Sequence, residues 1–442
     1  MKDLPFGYSA SICNSEMLHK EAYIVNGKLS FGGKQTFPLL ILPENPMMEY
    51  TTLKRIAELI NDGLIVYGAK PTELLSLSNL KVNKGKFEKL VDAIWGKTSS
   101  AEVAYGKGKV ITGISVEKVF KNWDIVPDFS SNVPNRDLQY FHKKIGDADV
   151  YFVFNQQNKT INRELLFRMK DAVPEIWNPE SGLISKPIIY ASEKNQIRIP
   201  VTFNSYETLL FVFRKGYSSN VINTVYLNGD QIFPNKSGLG VEIPIGIFDK
   251  KYSFRTNTGG KYTFTTIEGK TIELDLPTAK TAEIVEYNAH LEFFPVYDGN
   301  INPIKISKLK SLIEFDDLSV KYFSGKIKYT IIFDAPENFD SYDNFILNLG
   351  EMSATSEVYL NGEFLKYAWQ SNEDILFSGL LKKDNKLEIT VATACRNRFI
   401  GDLIQYGKIK NISTTLLMEN VLNKDMPLTT SGIVGPLKIS VL

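Results

Sequence analysis

Cysteine, histidine and an excess charge of either sign are what this chain has little of. Its two cysteines, Cys13 and Cys395, stand far apart in 442 residues. They are too few for a disulfide framework or a zinc site, so both are expected to be free thiols. The three histidines, His19, His142 and His290, are scattered singly. None has a second ligand at helical or hairpin spacing, so neither a metal nor any other cofactor is expected. Lysine and arginine total 51 against 50 acidic residues, a formal charge of +1. Without a basic excess to attract phosphates, nucleic acid is not an expected partner. No apolar run reaches about 18 residues, so no membrane-spanning segment is expected. The opening MKDLPFGYSASIC has no continuous apolar core and does not read as a signal peptide. The compartment stays open, and is periplasmic or extracellular if the chain is part of a longer exported precursor. No G-x-S-x-G, no P-loop and no Cys–His pairing occurs.

What is present is apolar and aromatic. Hydrophobic residues make up 43% of the chain, ample for buried cores, and the 12% aromatic share suits β-rich architecture and sugar-binding surfaces alike. The length allows about three domains at roughly 150 residues each. Up to about residue 130, strands and helices alternate. PLLILP (Pro38–Pro43) reads as a short strand; TTLKRIAELINDG follows with Leu53, Ile56, Ala57 and Ile60 on one helical face and Gly63 at the stop. LIVYG, GKFEKLVDAIWG, GKVITGI and SVEKVFKNW continue as strand, helix, strand, helix. That rhythm predicts a small parallel sheet with helices on its faces, a flavodoxin-like layer domain over residues 1–132.

Beyond VPDFSSNVPN (Val126–Asn135) nearly every segment alternates with a period of two: DVYFVFNQ, IRIPVTF, ETLLFVFRK, then SGKIKYTIIF, LEITVATA and GPLKISVL. In the last of these Leu437, Ile439 and Val441 share a face against Lys438 and Ser440. Sheets with one wet face predict sandwiches, one over 133–283 and one over 284–442. TNTGGKYTFTTIEGKTIELDL reads as two hairpins turning at Gly259–Gly260 and Glu268–Gly269. The pentapeptide VYLNG occurs at Val225–Gly229 and again at Val358–Gly362. Asn-Gly between strands is a strong hairpin signal, because a type I′ turn needs positive φ at both central residues.

The second copy continues as SEVYLNGEFLKYAWQSNEDILFSGLLKKDNKLEITVATACRNRFIGD, which resembles the galactose-binding-like jelly roll of large glycoside hydrolases. KYFSGKIKYTIIF, NRFIGD and LTTSGIVGPLKI look like the C-terminal region of α-L-rhamnosidases of glycoside hydrolase family 106. GDADVYFVFNQ, PEIWNPESG and NSYETLLFVFRK are similar to a small sandwich of that family. YSASICNSEML, LLILPENPMM, YGAKP and WDIVPDF resemble its (amidotransferase-like) layer domain. The pieces keep the family's order over nearly the whole chain. The resemblance implies a layer domain followed by two antiparallel sandwiches, the last a galactose-binding-like jelly roll: a multidomain α/β plus all-β chain. It also implies that hydrolysis in the family is carried by a (β/α)8 barrel that precedes these domains. Such a barrel needs about 250 residues, whereas the α/β pattern here covers roughly 130, so the barrel is expected upstream or on a partner chain.

Glycoside hydrolysis by the usual routes needs two carboxyls about 5–5.5 Å apart for retention or about 6.5–9.5 Å apart for inversion. Asp316, Asp317, Glu357, Glu363, Glu373, Asp374 and Asp402 are available. Fifty acids make accidental pairs cheap, EFDDL and SNEDI read as solvated turns, and the catalytic residues remain unknown. Cys13 sits where an amidotransferase-type fold would carry a nucleophile, but Asn14-Ser15-Glu16 offers no glycine for a strained elbow, and a buried thiol is the plainer reading. RNRFIGD is the better candidate. Asn397, Arg398 and Asp402 directly follow a strand and offer the paired donors and acceptors that vicinal hydroxyls require. Trp369 or Tyr406 could supply a flat face for a pyranose. The competing reading is that Arg398 and Asp402, four apart, pair to pin a loop. SGIVGP reads as a turn at Gly432 and Gly435. Three functions stay open: the non-catalytic C-terminal portion of an α-L-rhamnosidase-like hydrolase that binds carbohydrate, a rhamnose-containing glycan among the candidates; a free-standing carbohydrate-binding protein; and a glycosidase with an unrecognised site.

Overall fold

Helix Tyr50–Asn61 forms where the apolar spacing predicts it, burying Leu53, Ile56, Ala57, Leu59 and Ile60, and Gly63 at φ 122° carries the chain out of it. The computed structural model describes residues 4–441 apart from 33–34, 77–79, 98–100, 134–136, 236–241, 250, 285–286, 297–298, 340–341, 354 and 411–421. The chain divides into two compact units, Met1–Ser130 and Ser131–Leu442. Among the described residues no helix is long and apolar enough to cross a membrane.

In the first unit, strands Leu40–Ile41, Ile65–Tyr67 and Gly108–Ile111 lie side by side in parallel. The fourth strand, Glu102–Tyr105, is the antiparallel hairpin partner of Gly108–Ile111, so the sheet is mixed rather than all parallel. Helices Tyr50–Asn61 and Leu80–Trp95 supply Ile56, Ile60, Phe87, Val91 and Ile94 to the same core as Val66 and Val110. A three-stranded antiparallel sheet, Ala22–Val25, Lys28–Phe31 and Gln35–Phe37, precedes them and was not legible as such. Its turn is again Asn-Gly, with Asn26 at φ 49° and Gly27 at φ 73°.

The second unit is β throughout most of its length. A five-stranded sheet runs in the order Leu138–Ile145, Ala148–Asn155, Thr208–Lys215, Ala172–Trp177, Ile184–Ser185. It faces Ile161–Phe167, Gln196–Phe203 and Ala191–Glu193 across an aromatic core in which Phe167 lies 4.9 Å from both Phe211 and Phe213, centroid to centroid. A separate four-stranded sheet follows, ordered Asp230–Phe233, Ile222–Leu227, Gly260–Thr266, Thr271–Leu276, with its own core of Ile222, Val225, Phe233, Tyr262 and Phe264. Residues 133–283, read as one small sandwich, thus hold two successive cores. The hairpin at Gly259–Gly260 is not formed: Lys251–Arg255 pairs back onto Ile245–Asp249, while Gly260–Thr266 pairs with its neighbours on either side. The turn at Glu268–Gly269 joins Gly260–Thr266 to Thr271–Leu276 as expected. Alternation identifies strands but does not say which strand each one finds.

The last sandwich sets a six-stranded sheet against a four-stranded one. The first is ordered Ile304–Ile306, Asn288–Pro295, Gly325–Asp334, Asp384–Ala392, Thr355–Leu360, Glu363–Ala368. The second is Thr281–Glu283, Lys438–Val441, Asn344–Asn348, Asp374–Ser378. Ile327, Tyr329 and Ile331 from the first sheet meet Phe345, Leu347 and Ile439 from the second in one core. Full burial of each such aliphatic side chain stabilises by about 1.5–3 kcal/mol. Gly432–Gly435, read as a turn, is a strand paired with Glu351–Ser353.

Candidate functional site

Glu363–Ala368 is the edge strand of the six-stranded sheet, and the chain then crosses through residues 369–373 to Asp374–Ser378 in the facing sheet. That crossing is held by a buried carboxylate. Glu373 Oε2 accepts the backbone N–H groups of Trp369 and Gln370 at 3.2 and 3.3 Å, and its Oε1 pairs with Lys366 Nζ. Asn372 sits at φ 57°, and its carbonyl accepts from Asn348 Nδ2 at 2.9 Å. SNEDI is therefore not a solvated turn, since Glu373 is only 7% exposed. The result is a rigid corner from which the Trp369 ring, 60% exposed, projects.

Two cavities flank that ring. One, of about 920 Å³, is lined by Phe364, Lys366, Tyr367, Leu376, Glu180 and Trp369 among others. The other, of about 1070 Å³, is lined by Phe152, Tyr206, Glu351, Gln370, Glu180 and Trp369 among others. Glu180 and Trp369 belong to both, so the two form one groove with the indole as its ridge. Burial alone would raise Glu180, but hydrogen bonds with Glu373 and Lys366, and one from the Trp369 indole, outweigh it and hold the carboxyl below its usual range. Burial pushes Glu373 up despite Lys366. Lys366 is itself held above its ordinary value because Glu373 and Glu180 outweigh its burial. Glu207 behind them is also raised by burial, with Glu180 and Asp374 adding to the effect.

Chemically, Glu180 and Glu373 make a closed pair. Lys366 Nζ lies 3.0 Å from Glu180 Oε1 and bridges to Glu373. A retaining or inverting pair leaves about 5–9.5 Å between its carboxyls for the anomeric carbon, or for that carbon and a water. Here Glu180 and Glu373 hydrogen-bond to each other and share the Lys366 ammonium, so no such gap stands between them. The groove offers aromatic faces and neutral hydrogen-bonding side chains.

Of the five residues singled out by sequence, Trp369 alone fronts this groove. Asn397, Arg398 and Asp402 do not sit on a loop after a strand but on the helix Arg396–Tyr406. Arg398 Nε donates to Asp402 Oδ1 at 3.0 Å, and Asp402 Oδ2 accepts from Lys410 N at 3.1 Å. Asn397 holds Thr429 by three bonds: Nδ2 donates to the Thr429 carbonyl at 2.7 Å, and Oδ1 accepts from Thr429 N at 2.9 Å and Thr429 Oγ1 at 3.3 Å. Tyr406 is half-exposed with Lys410 Nζ 3.5 Å from its ring centre. The pinning reading of Arg398 and Asp402 is thus the geometry observed. Sequence reasoning missed Glu180, Phe152, Tyr206 and Lys366. Phe152 carried a signal, being an outward-facing aromatic in an alternating strand. Cys13 packs against the core of the first unit, and burial pushes its thiol up, away from the thiolate a nucleophile needs.

The chain is similar to proteins of the glycoside hydrolase type. Residues 1–192 match the family model of the α-L-rhamnosidases, glycoside hydrolase family 106, and the resemblance to that family read from the motifs is borne out over those residues. A curated protein of Formosa agariphila named "Putative beta-glucuronidase" is 27% identical over 210 residues, 47% of this chain and 17% of that protein. The rhamnosidase from Novosphingobium sp. PP1Y superposes over 99% of this chain with a TM-score of 0.70 at 22% identity, which establishes a common fold. The chain covers 36% of that rhamnosidase, so it spans about a third of its length.

Proposed function

We propose that this chain is the non-catalytic C-terminal portion of an α-L-rhamnosidase-like glycoside hydrolase, one that supports a catalytic barrel encoded upstream or on a partner chain and contributes to carbohydrate binding. In this reading the first unit is a flavodoxin-like, amidotransferase-like layer, and the last sandwich is a galactose-binding-like jelly roll. The observation that carries it is the coverage: nearly the whole chain is accounted for by about a third of a rhamnosidase of the same fold. The described parallel pairings support it, since three of the four strands in the first unit's mixed sheet run parallel, against eight in a (β/α)8 barrel. Carbohydrate binding is supported by the groove beside Trp369, whose exposed ring can stack on a pyranose face. The purified chain is expected not to hydrolyse an aryl α-L-rhamnoside; turnover at an enzyme-like rate would overturn the non-catalytic assignment. Oligosaccharide is expected to raise the melting temperature, because a ligand bound only to the folded state stabilises it.

A further inference from the structure

We propose that the groove across Trp369 takes an uncharged oligosaccharide, one with sugars on both sides of the indole, and selects against uronate-bearing chains. The inference rests on the carbohydrate-binding reading above and names the chemistry of its ligand.

Length comes from geometry. Each cavity is of the size that holds a small-molecule ligand, about 300–1000 Å³, and the two share Trp369 and Glu180. Aromatic rings stand on both sides of the ridge: Tyr367, 64% exposed, on one, and Phe152 and Tyr206, 43% and 44% exposed, on the other. One ring stacks on one sugar face, so this arrangement suits a chain that crosses the indole rather than a single monosaccharide.

Charge comes from the lining. The second cavity carries Glu180 and Glu351 with no lysine or arginine among its described lining residues. The first has Glu180, Glu357 and Asp374 against Lys326 and Lys366, and Lys366 is already engaged by Glu180 and Glu373. A uronate carboxylate entering the second cavity would meet carboxylates and no cation, and in the first Lys326 stands against three carboxylates, without the guanidinium fork that usually receives such a group. Gln370, Thr430 and Asn158 in the second cavity are neutral and match hydroxyls.

The test is calorimetric titration of the full chain at neutral pH with neutral tetrasaccharides built from galactose, glucose or rhamnose, and with tetragalacturonate. At least one neutral tetrasaccharide is expected to bind, the corresponding monosaccharide to bind more weakly, and tetragalacturonate to bind at least about tenfold more weakly. Trp369→Ala and, separately, Phe152→Ala are expected to weaken the neutral ligand by about tenfold while each variant keeps a cooperative melting transition. Tetragalacturonate binding as tightly as the neutral chains would overturn the selectivity while leaving a carbohydrate-binding role standing. Neutral binding indifferent to both substitutions would overturn the groove as the site. Binding of no tetrasaccharide of either kind would overturn the inference together with the carbohydrate role, and the aryl-rhamnoside assay reports independently on the non-catalytic assignment.

Discussion

Asn361 Oδ1 accepts the backbone N–H of Lys386 at 2.9 Å, and its own N–H donates to the Lys386 carbonyl at 2.8 Å. The same two bonds join Asn228 to Lys261, at 3.0 and 2.8 Å. Both asparagines stand at φ 52°, followed by Gly229 and Gly362 at 93° and 91°, and both copies of VYLNG carry a register shift between the valine and the tyrosine. The repeat is therefore a three-strand device. The turn reverses the hairpin, and the asparagine, held in the left-handed region, reaches across to pair with the third strand.

The two copies differ in how deeply they are tied in. Asn361 Nδ2 also donates to the Leu380 carbonyl at 2.7 Å and to Asn385 Oδ1 at 3.0 Å. Glycine keeps the positive φ and deletes only the side-chain bonds. Asn361→Gly is expected to cost about 2–3 kcal/mol and Asn228→Gly about 1 kcal/mol, at roughly 1 kcal/mol for each net bond. Denaturant midpoints of the two variants check this, and equal losses would contradict it.

RNRFIGD makes structural contacts. Gly401 is buried in the helix Arg396–Tyr406, and a Cβ there would lie 2.3 Å from Cγ of the Tyr322 ring. Gly401→Ala is expected to destabilise by about 1–3 kcal/mol through overpacking. Arg398→Ala, which strips the buried Asp402 of its charged partner, is expected to cost about 1–3 kcal/mol. Arg398→Ala should leave oligosaccharide affinity unchanged; loss of binding with intact stability would return the motif to the role of a ligand site.

Glu207 gives a pH signature. Its carboxylate accepts from Asn204 N at 2.7 Å and Asn178 Nδ2 at 3.2 Å, yet burial, with Glu180 and Asp374 nearby and Lys366 opposing, leaves it above the ordinary glutamate value. Below the unfolded value both states hold the proton. As pH rises from there, the unfolded chain releases it first, so the contribution of Glu207 to stability is lost through the raised folded value. Urea midpoints between about pH 4 and pH 8 should therefore fall less steeply in Glu207→Gln than in the wild type. An unchanged slope would show that the group titrates normally. Glu164 and Glu373, raised by burial as well, keep some slope in the variant.

Glu164 ties the first sandwich of the second unit to the segment after Phe233. Its carboxylate accepts from Arg198 Nη1 at 2.9 Å and from Asn235 N at 2.9 and 3.1 Å, with 4% of its side chain exposed. Glu164→Ala leaves a guanidinium and a buried N–H without that partner and is expected to cost about 3–5 kcal/mol. A change in denaturant midpoint worth less than about 1 kcal/mol would argue that Arg198 finds another acceptor, Glu193 at 3.4 Å being the nearest observed.

Much of this molecule was legible in its residues. The helix Tyr50–Asn61, the strand rhythm of the first unit, the alternating strands after residue 138 and the two Asn-Gly turns all follow from periodicity and backbone sterics, which act between near neighbours. For RNRFIGD the residues leave both a ligand-bearing loop and a pinned loop open, and neither anticipates the helix Arg396–Tyr406. Their actual partners, Thr429 and Lys410, lie on a segment whose position no local rule supplies.

By itself the sequence determined the Asn-Gly turns, which faces are apolar and which family the ordered motifs resemble. Only tertiary structure decided that Lys251–Arg255 pairs backwards rather than forwards, that Glu373 is buried beneath a turn, and that Phe152, Glu180 and Tyr206 come to stand around Trp369. The physical reason is range. Dihedral preferences are settled within a few residues, whereas a groove exists only where the packing of separate sheets brings distant side chains together.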